Sequence, residues 1–113
     1  MQPGRIRHTV SFRLRHPAGS DAEHDFLAAA EELSHIPGVE GFDILEEVSP
    51  KNAFRFGISM EFADAGAYEA YNRHPDHVRF VDERWVNEVE EFLEIDYAAL
   101  RRSSSTNSAR PGN

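Results

Sequence analysis

Residues 54–62, "FRFGISMEF", alternate apolar residues with polar or small ones along their whole length. The apolar positions recur at every second residue: Phe54, Phe56, Ile58, Met60 and Phe62. Period-two alternation is typical of a strand that buries one face and exposes the other. This is the clearest strand signal in the chain, and it predicts a sheet with one apolar face.

Three other segments predict strands that can join this sheet. Residues 6–14 alternate just as cleanly and place His8 among the apolar residues Ile6, Val10, Phe12 and Leu14. Residues 39–49, "VEGFDILEEVS", are less regular because Leu45 interrupts the alternation, and the turn "SPKN" separates them from residues 54–62. Residues 91–100, "EFLEIDYAAL", predict the last strand.

Helices are predicted between the strands. Ser20 and Glu23 form a capping box that predicts a helix from Asp21 to about Ile36, where Pro37 and Gly38 follow. A short helix is predicted after Asp64, and it carries Tyr68 and Tyr71.

Pro75 ends that short helix and starts another one. The residue before a proline avoids helical geometry, whereas proline itself suits the first position of a helix. An apolar stripe is predicted along the new helix at Val78, Val81, Trp85 and Val89.

The predicted order of elements is strand, helix, strand, strand, helix pair, strand. This order predicts an α+β fold, a ferredoxin-like sandwich whose helices cover one face of the sheet. The other face carries Thr9, Ser11, Gly57 and Ser59, and this pattern is compatible with solvent or with a second sheet. We expect one domain over residues 1–100 and a disordered tail over residues 101–113, "RRSSSTNSARPGN".

The composition excludes several classes of function. The 113 residues include no cysteine, which excludes disulfides, thiol nucleophiles and thiolate zinc sites. The net charge of −8 repels phosphate backbones and anionic membrane surfaces, so neither nucleic acid nor a membrane is an expected partner. No apolar run approaches the roughly 20 residues needed to cross a bilayer, and we expect a soluble cytoplasmic protein.

The stretch "YNRHPDHVRF", residues 71–80, holds two histidines three residues apart. His74 and His77 have the spacing of metal ligands, but a third ligand is missing because helical geometry turns Asp76 to another side. His77 near a helix start is expected to stay neutral and can accept a proton. His8 is interpreted first as a buried, hydrogen-bonded histidine. Neither a metal nor a cofactor is predicted, because nucleotide-binding and serine-hydrolase motifs are absent from the sequence.

Taken together, "IRHTVSFRLR", "HIPGVEGF", "MEFADAGAYEAYNRHPDHVRFV" and "FLEIDY" resemble the stress-responsive dimeric α/β-barrel (Dabb) family. The resemblance spans residues 6–97, and its most specific elements are His8 and the tyrosine followed by H-P-x-H at Tyr71, His74, Pro75 and His77. It implies a homodimer in which two sheets pack into a barrel, and a protein of the stress-response type.

The family includes a polyketide cyclase of the olivetolic acid type. By resemblance, His77 is the general base, Tyr71 is its partner and His8 is a pocket histidine. Phe56 stands where that cyclase has another pocket histidine. Such a site needs an apolar pocket for a small apolar or aromatic molecule, and the candidate walls are Phe26, Phe56, Phe80 and Trp85.

Two interpretations of function stay open. In the first, a cyclase-like enzyme uses the His77 and Tyr71 pair for acid–base catalysis of an aldol ring closure. In the second, a non-catalytic stress-protective dimer binds a small molecule in the same cavity. A small oxygenase or lyase of the wider barrel group has little support, because the sequence lacks a defined haem or metal ligand set.

Overall fold

The computed structural model describes residues 1–49 and 51–100, and the predicted tail over residues 101–113 lies outside the described residues. Four strands form one sheet: β1 (Ile6–Leu14), β2 (Glu40–Glu46), β3 (Phe56–Phe62) and β4 (Val89–Ala98). Their order is β2-β3-β1-β4, and all neighbouring strands are antiparallel. The predicted ferredoxin-like α+β fold is confirmed. Strand β1 lies between β3 and β4 in the sheet.

The first helix follows the predicted cap closely. Helix α1 (Asp21–Glu31) runs into a 3₁₀ turn (Glu32–His35), so the predicted helix tightens in its last turn. The Ser20 hydroxyl accepts a hydrogen bond from the Glu23 amide at 3.2 Å. The Glu23 carboxylate accepts one from the Gly19 amide at 2.8 Å, which accounts for a buried glutamate at a helix start.

The proline divides the second helical segment as predicted. Helix α2 (Ala65–Arg73) starts at Asp64, whose carboxylate accepts the Ala67 amide at 2.8 Å. Helix α3 (Pro75–Phe80) starts after His74, which is extended with ψ at 134°. His74 Nδ1 accepts the Asp76 amide at 3.1 Å, so His74 caps α3.

After α3 the chain forms a π-helical turn (Val81–Trp85) and a short helix α4 (Val86–Glu88). The predicted apolar stripe is wrong at both ends. Val78 is 43% exposed, Phe80 is buried instead, and Val89 is the first residue of β4. The prediction assumed a uniform α-helix, whereas a π turn contains more residues per turn and rotates the buried face.

The core lies between the helices and the inner face of the sheet. Phe12, Phe26 and Phe62 are fully buried there, and the apolar faces predicted for β1 and β3 point inward. Within the described residues, no helix combines the length and apolar character needed to cross a membrane.

The outer face of the sheet is polar on β1 and β3 but apolar on β4. Leu93, Ile95 and Tyr97 pair with Ser11, Thr9 and Arg7, so they share the outer face with the small polar residues predicted there. Each of the three is at least 38% exposed, and Leu45 on β2 is 52% exposed. The predicted face therefore gains an apolar surface at its β4 edge.

Gly38, between the 3₁₀ turn and β2, has φ of +92°, a conformation that side chains with a Cβ rarely adopt. We expect Gly38→Ala to lower the free energy of unfolding by about 1–2 kcal/mol through backbone strain. An added Cβ lies 3.8 Å from Ala67 Cβ, an ordinary contact, so a clash is not the cause. Urea denaturation measures the loss, and Gly66→Ala in α2 is the matched control, expected to be neutral or stabilising.

Candidate functional site

A cavity of about 280 Å³ lies between the inner face of the sheet and the helical segment from α2 to α4. Its lining is mainly apolar, and besides the Trp85 indole it carries the polar side chains of His8, Tyr71, His77 and Glu94. The remaining lining residues are Val10, Leu33, Ile58, Met60, Phe80, Val81, Trp85, Val86 and Phe92. An apolar cavity with a few converging polar groups is the usual form of a small-molecule site.

Tyr71 and His77 are in direct contact in this cavity. Tyr71 lies near the end of α2 and is only 2% exposed, while His77 lies in the first turn of α3. Their ring centroids are 4.4 Å apart and the ring planes are inclined by 44°. The structure thus brings together the two residues proposed from the sequence as base and partner.

The hydrogen bond of His77 fixes its tautomer. His77 Nδ1 lies 3.2 Å from the Asn72 carbonyl oxygen, and a carbonyl can only accept, so Nδ1 donates. Burial is the main cause that lowers the pKa of His77, and nearby His8 lowers it further; the Asn72 bond and Glu94 act in the opposite direction. The ring is therefore held neutral with a basic Nε2, and desolvation is the main cause.

Tyr71 keeps its proton. Burial is the main cause that raises the pKa of its phenol, and the neighbouring Tyr68 and Glu94 raise that pKa further. Tyr71 lines the cavity, and no hydrogen bond joins its hydroxyl to another described residue. The hydroxyl can therefore donate a hydrogen bond to a molecule bound in the cavity.

His8 belongs to a separate polar cluster on the inner face of the sheet. Its Nδ1 lies 2.6 Å from Asp96 Oδ1 and 3.0 Å from the Tyr68 hydroxyl. That hydroxyl donates to Asp96 Oδ2 at 2.9 Å, so Asp96 holds both partners. His8 is 5% exposed and hydrogen-bonded, as its first interpretation required, and it also lines the cavity.

Sequence analysis missed Tyr68, Asp96 and Glu94. Asp96 pairs with His8 and Glu94 pairs with Val10 across β1 and β4, so both carboxylates project toward the helices. The "EIDY" alternation contains this signal, but only the register of β4 against β1 places the acidic residues beside His8. Glu94 Oε2 lies 3.7 Å from His8 Nε2.

Two of the four predicted wall residues line the cavity, and two do not. Phe80 and Trp85 form part of the wall. Phe26 lies behind them in the core, with ring centroids 5.5 Å from Phe80 and 6.2 Å from Trp85. The Phe56 ring packs against Phe12 in a tilted arrangement, with centroids 5.8 Å apart, and does not line the cavity. The predicted walls are corrected at Phe26 and Phe56, since both positions fill the core next to β1.

His74 and His16 have structural contacts outside the cavity. His74 Nδ1 is used in the α3 cap. His16 Nε2 lies 2.6 Å from Glu88 Oε1 in a partly buried contact. In the part of the chain that the structure describes, no group of three or more His, Cys, Asp or Glu residues is placed to hold a metal ion.

The sequence matches the Stress responsive A/B Barrel Domain, or Dabb, over residues 6–99. The chain belongs to the Dabb family. A Dabb family protein with a ferredoxin-like fold from Mesorhizobium loti MAFF303099 is 56% identical, with 87% of this chain and 99% of that chain covered and a TM-score of 0.84. A search of curated protein sequences gives no significant match.

More distant structures share the fold of this Dabb domain. A hydroxynitrile lyase from Passiflora edulis is 16% identical, with 90% of this chain and 99% of that chain covered and a TM-score of 0.78. A dimeric ferredoxin-like protein of unknown function from Thermobifida fusca YX is 19% identical, with coverages of 86% and 92% and a TM-score of 0.71. At these identities the likeness extends to the fold alone.

The lowered pKa of His77 predicts a pH-dependent stability. In the unfolded chain, His77 has its ordinary pKa of 6.5. Below that pH the unfolded state therefore binds more protons at His77 than the folded state does. As the pH is lowered from 6.5 to the pKa of the folded state, the free energy of unfolding should therefore decrease. Urea denaturation at about pH 7.5 and about pH 5 should show a smaller acid loss in His77→Gln than in wild type.

His24→Gln, at an exposed position of α1, controls for the removal of one histidine. It should lose as much stability on acidification as wild type does. An equal acid loss in His77→Gln and wild type would contradict the assignment of a depressed pKa to His77.

Proposed function

We propose that this Dabb protein binds a small apolar or aromatic carbonyl compound in the cavity and transfers a proton at the carbon next to the carbonyl. Aldol ring closure of a keto chain, as in the polyketide cyclase type, begins with that step. The observation that carries the proposal is the contact between a neutral His77 and a protonated Tyr71 at the wall of an apolar cavity.

His77 is the proposed general base. Its Nδ1 proton is occupied by the Asn72 carbonyl, so the lone pair of Nε2 takes the proton from the substrate carbon. The electrons of that C–H bond move into the enolate. When the enolate attacks a second carbonyl, the new alkoxide recovers the proton from the His77 imidazolium, and the base is regenerated.

Tyr71 is the proposed hydrogen-bond donor to the carbonyl oxygen. Its raised pKa means that the hydroxyl donates a hydrogen bond without losing its proton to the enolate. The attraction between this donor and negative charge that develops on the oxygen is stronger in an apolar cavity than in water, because the local dielectric constant is lower. Phe80, Trp85 and the other apolar lining residues supply that environment.

The size of the cavity limits the ligand. A volume of about 280 Å³ is near the lower end of the ~300–1,000 Å³ range of ligand pockets. This favours a ligand with one ring, or a short chain that folds into one. His8, bonded to Asp96 and Tyr68, is proposed to support the polar end of this ligand as a fixed hydrogen-bonding group.

Exchange of a carbon-bound proton tests the proposal without knowledge of the natural substrate. Phenylacetone, an aromatic ketone, is incubated with the protein in D2O, and loss of its α-proton signal is followed by ¹H NMR. Wild type should accelerate the exchange over buffer. His77→Ala should remove about 10²–10⁴-fold of that acceleration, the typical contribution of a placed base.

Tyr71→Phe should reduce the exchange rate while binding is kept, and His24→Ala is the matched histidine control. Exchange at the wild-type rate in both His77→Ala and Tyr71→Phe would contradict the acid–base pair. Bound phenylacetone without accelerated exchange in wild type would favour the non-catalytic ligand-binding dimer.

We also propose that the protein is a homodimer that pairs through the outer face of the sheet. Leu93, Ile95, Tyr97 and Leu45 expose apolar surface there, and monomers rarely expose contiguous apolar patches. Packing of a second sheet would cover this surface and the small residues beside it. A cytoplasmic location and a role in the stress response stay predictions from composition and family resemblance.

A charge on the outer face should separate the proposed dimer. Light scattering coupled to size exclusion, at micromolar concentration, should give wild type twice the mass of a single chain. Ile95→Glu should give the mass of one chain, because a carboxylate would be buried without a partner. Val78→Glu adds the same charge at a 43% exposed position of α3, on the helix side of the sheet, and should stay dimeric. A monomeric wild type would contradict the proposal.

A further inference from the structure

Glu94 is a carboxylate at the edge of a mainly apolar cavity. It lies on β4 opposite Val10, between Phe92 and Asp96 on the inner face of the sheet. Its side chain is 55% exposed, so it lies where the cavity meets solvent. The 3.7 Å separation from His8 Nε2 is an ion-pair distance but is too long for a hydrogen bond, so the carboxylate can still accept hydrogen bonds.

The charge around this end of the cavity is negative. Among the described residues, no Arg or Lys lines the cavity. The imidazole of His8 lies between two carboxylates, Asp96 and Glu94. An imidazole carries at most one positive charge, so His8 cannot neutralise both carboxylates. His77 adds no positive charge, because its burial keeps it neutral.

We infer that Glu94 makes the cavity selective for aromatic or apolar molecules without a carboxylate, and that it favours a hydroxyl or amine at the end of the ligand nearest β4. This deepens the proposed function, because it rests on the same cavity as the ligand site. The ligand class is then an uncharged or amine-bearing carbonyl compound.

The preference follows from what each ligand would meet. A carboxylate ligand would give up part of its hydration and find a like charge at Glu94, with no lining Arg or Lys to compensate. A hydroxyl or ammonium group would instead donate to the Glu94 carboxylate, in a charge-assisted hydrogen bond.

Two polar groups then define the orientation of the ligand. The Tyr71 hydroxyl donates to the carbonyl oxygen, and Glu94 accepts from the donor at the other end. The field of Glu94 reaches the reacting groups, since its charge acts on both Tyr71 and His77. A ligand held between these groups has its carbonyl beside the proposed base.

Three ligands with one ring each test the inference: benzyl alcohol, benzylamine and benzoate. Binding to wild type is measured by NMR titration of the protein amides and of the Trp85 indole N–H. We expect benzoate to bind roughly fivefold to tenfold more weakly than benzyl alcohol, since Glu94 is partly screened by solvent.

Glu94→Gln keeps the shape of the side chain and removes its charge. In this variant the affinity for benzoate should rise and that for benzylamine should fall, each by roughly threefold to tenfold, with benzyl alcohol changed least. Glu31→Gln on α1 makes the same change in net charge at an exposed position away from the cavity, and should leave all three affinities as in wild type.

Salt provides a second measurement that needs no variant. The difference between the affinities of wild type for benzoate and for benzyl alcohol should decrease as ionic strength rises. The inference would be overturned if wild type bound benzoate as tightly as benzyl alcohol, or if Glu31→Gln and Glu94→Gln had equal effects. It would also be overturned if wild type bound none of the three ligands. Because no turnover is measured, loss of the phenylacetone exchange would contradict catalysis alone and leave this selectivity standing.

Discussion

The break between α2 and α3 at His74 and Pro75 is the constraint on which the candidate site depends. In one continuous α-helix, residues six apart are separated by about 1.7 turns and point to different sides. Proline disfavours the helical conformation at the preceding residue. His74 is accordingly extended, and α3 starts in a new direction. The reorientation brings the rings of Tyr71 and His77 to 4.4 Å, and the same His74 caps the new helix.

Strand β4 contributes to both surfaces of the sheet. Its inner residues Glu94 and Asp96 surround His8, while outer residues such as Ile95 form the apolar surface on the other side. Alternation along this edge strand thus places the proposed ligand contact and the proposed dimer contact on opposite faces of the sheet, although their residues are neighbours in sequence. A shift of one residue in the β1–β4 register would exchange the two sets of side chains.

Charge and desolvation act on different parts of the cavity. Burial dominates at Tyr71 and His77, where it keeps a phenol protonated and an imidazole neutral. On β4 the local electrostatic potential is set by the carboxylates of Asp96 and Glu94, and solvent reaches Glu94 and screens its charge. The cavity therefore combines two buried groups, Tyr71 and His77, with one solvent-exposed carboxylate, Glu94.

The sequence by itself determined the order of elements, the caps of α1 and α2, the helix break at Pro75 and the burial of His8, because these follow from local periodicity and from the geometry of single residues. It also pointed to Tyr71 and His77. Only the tertiary structure decided the exposure of Val78, the placement of Phe26 and Phe56 in the core, and the meeting of Asp96 and Glu94 with His8. Those depend on a π turn and on strand register, and both are set by packing between segments far apart in the chain.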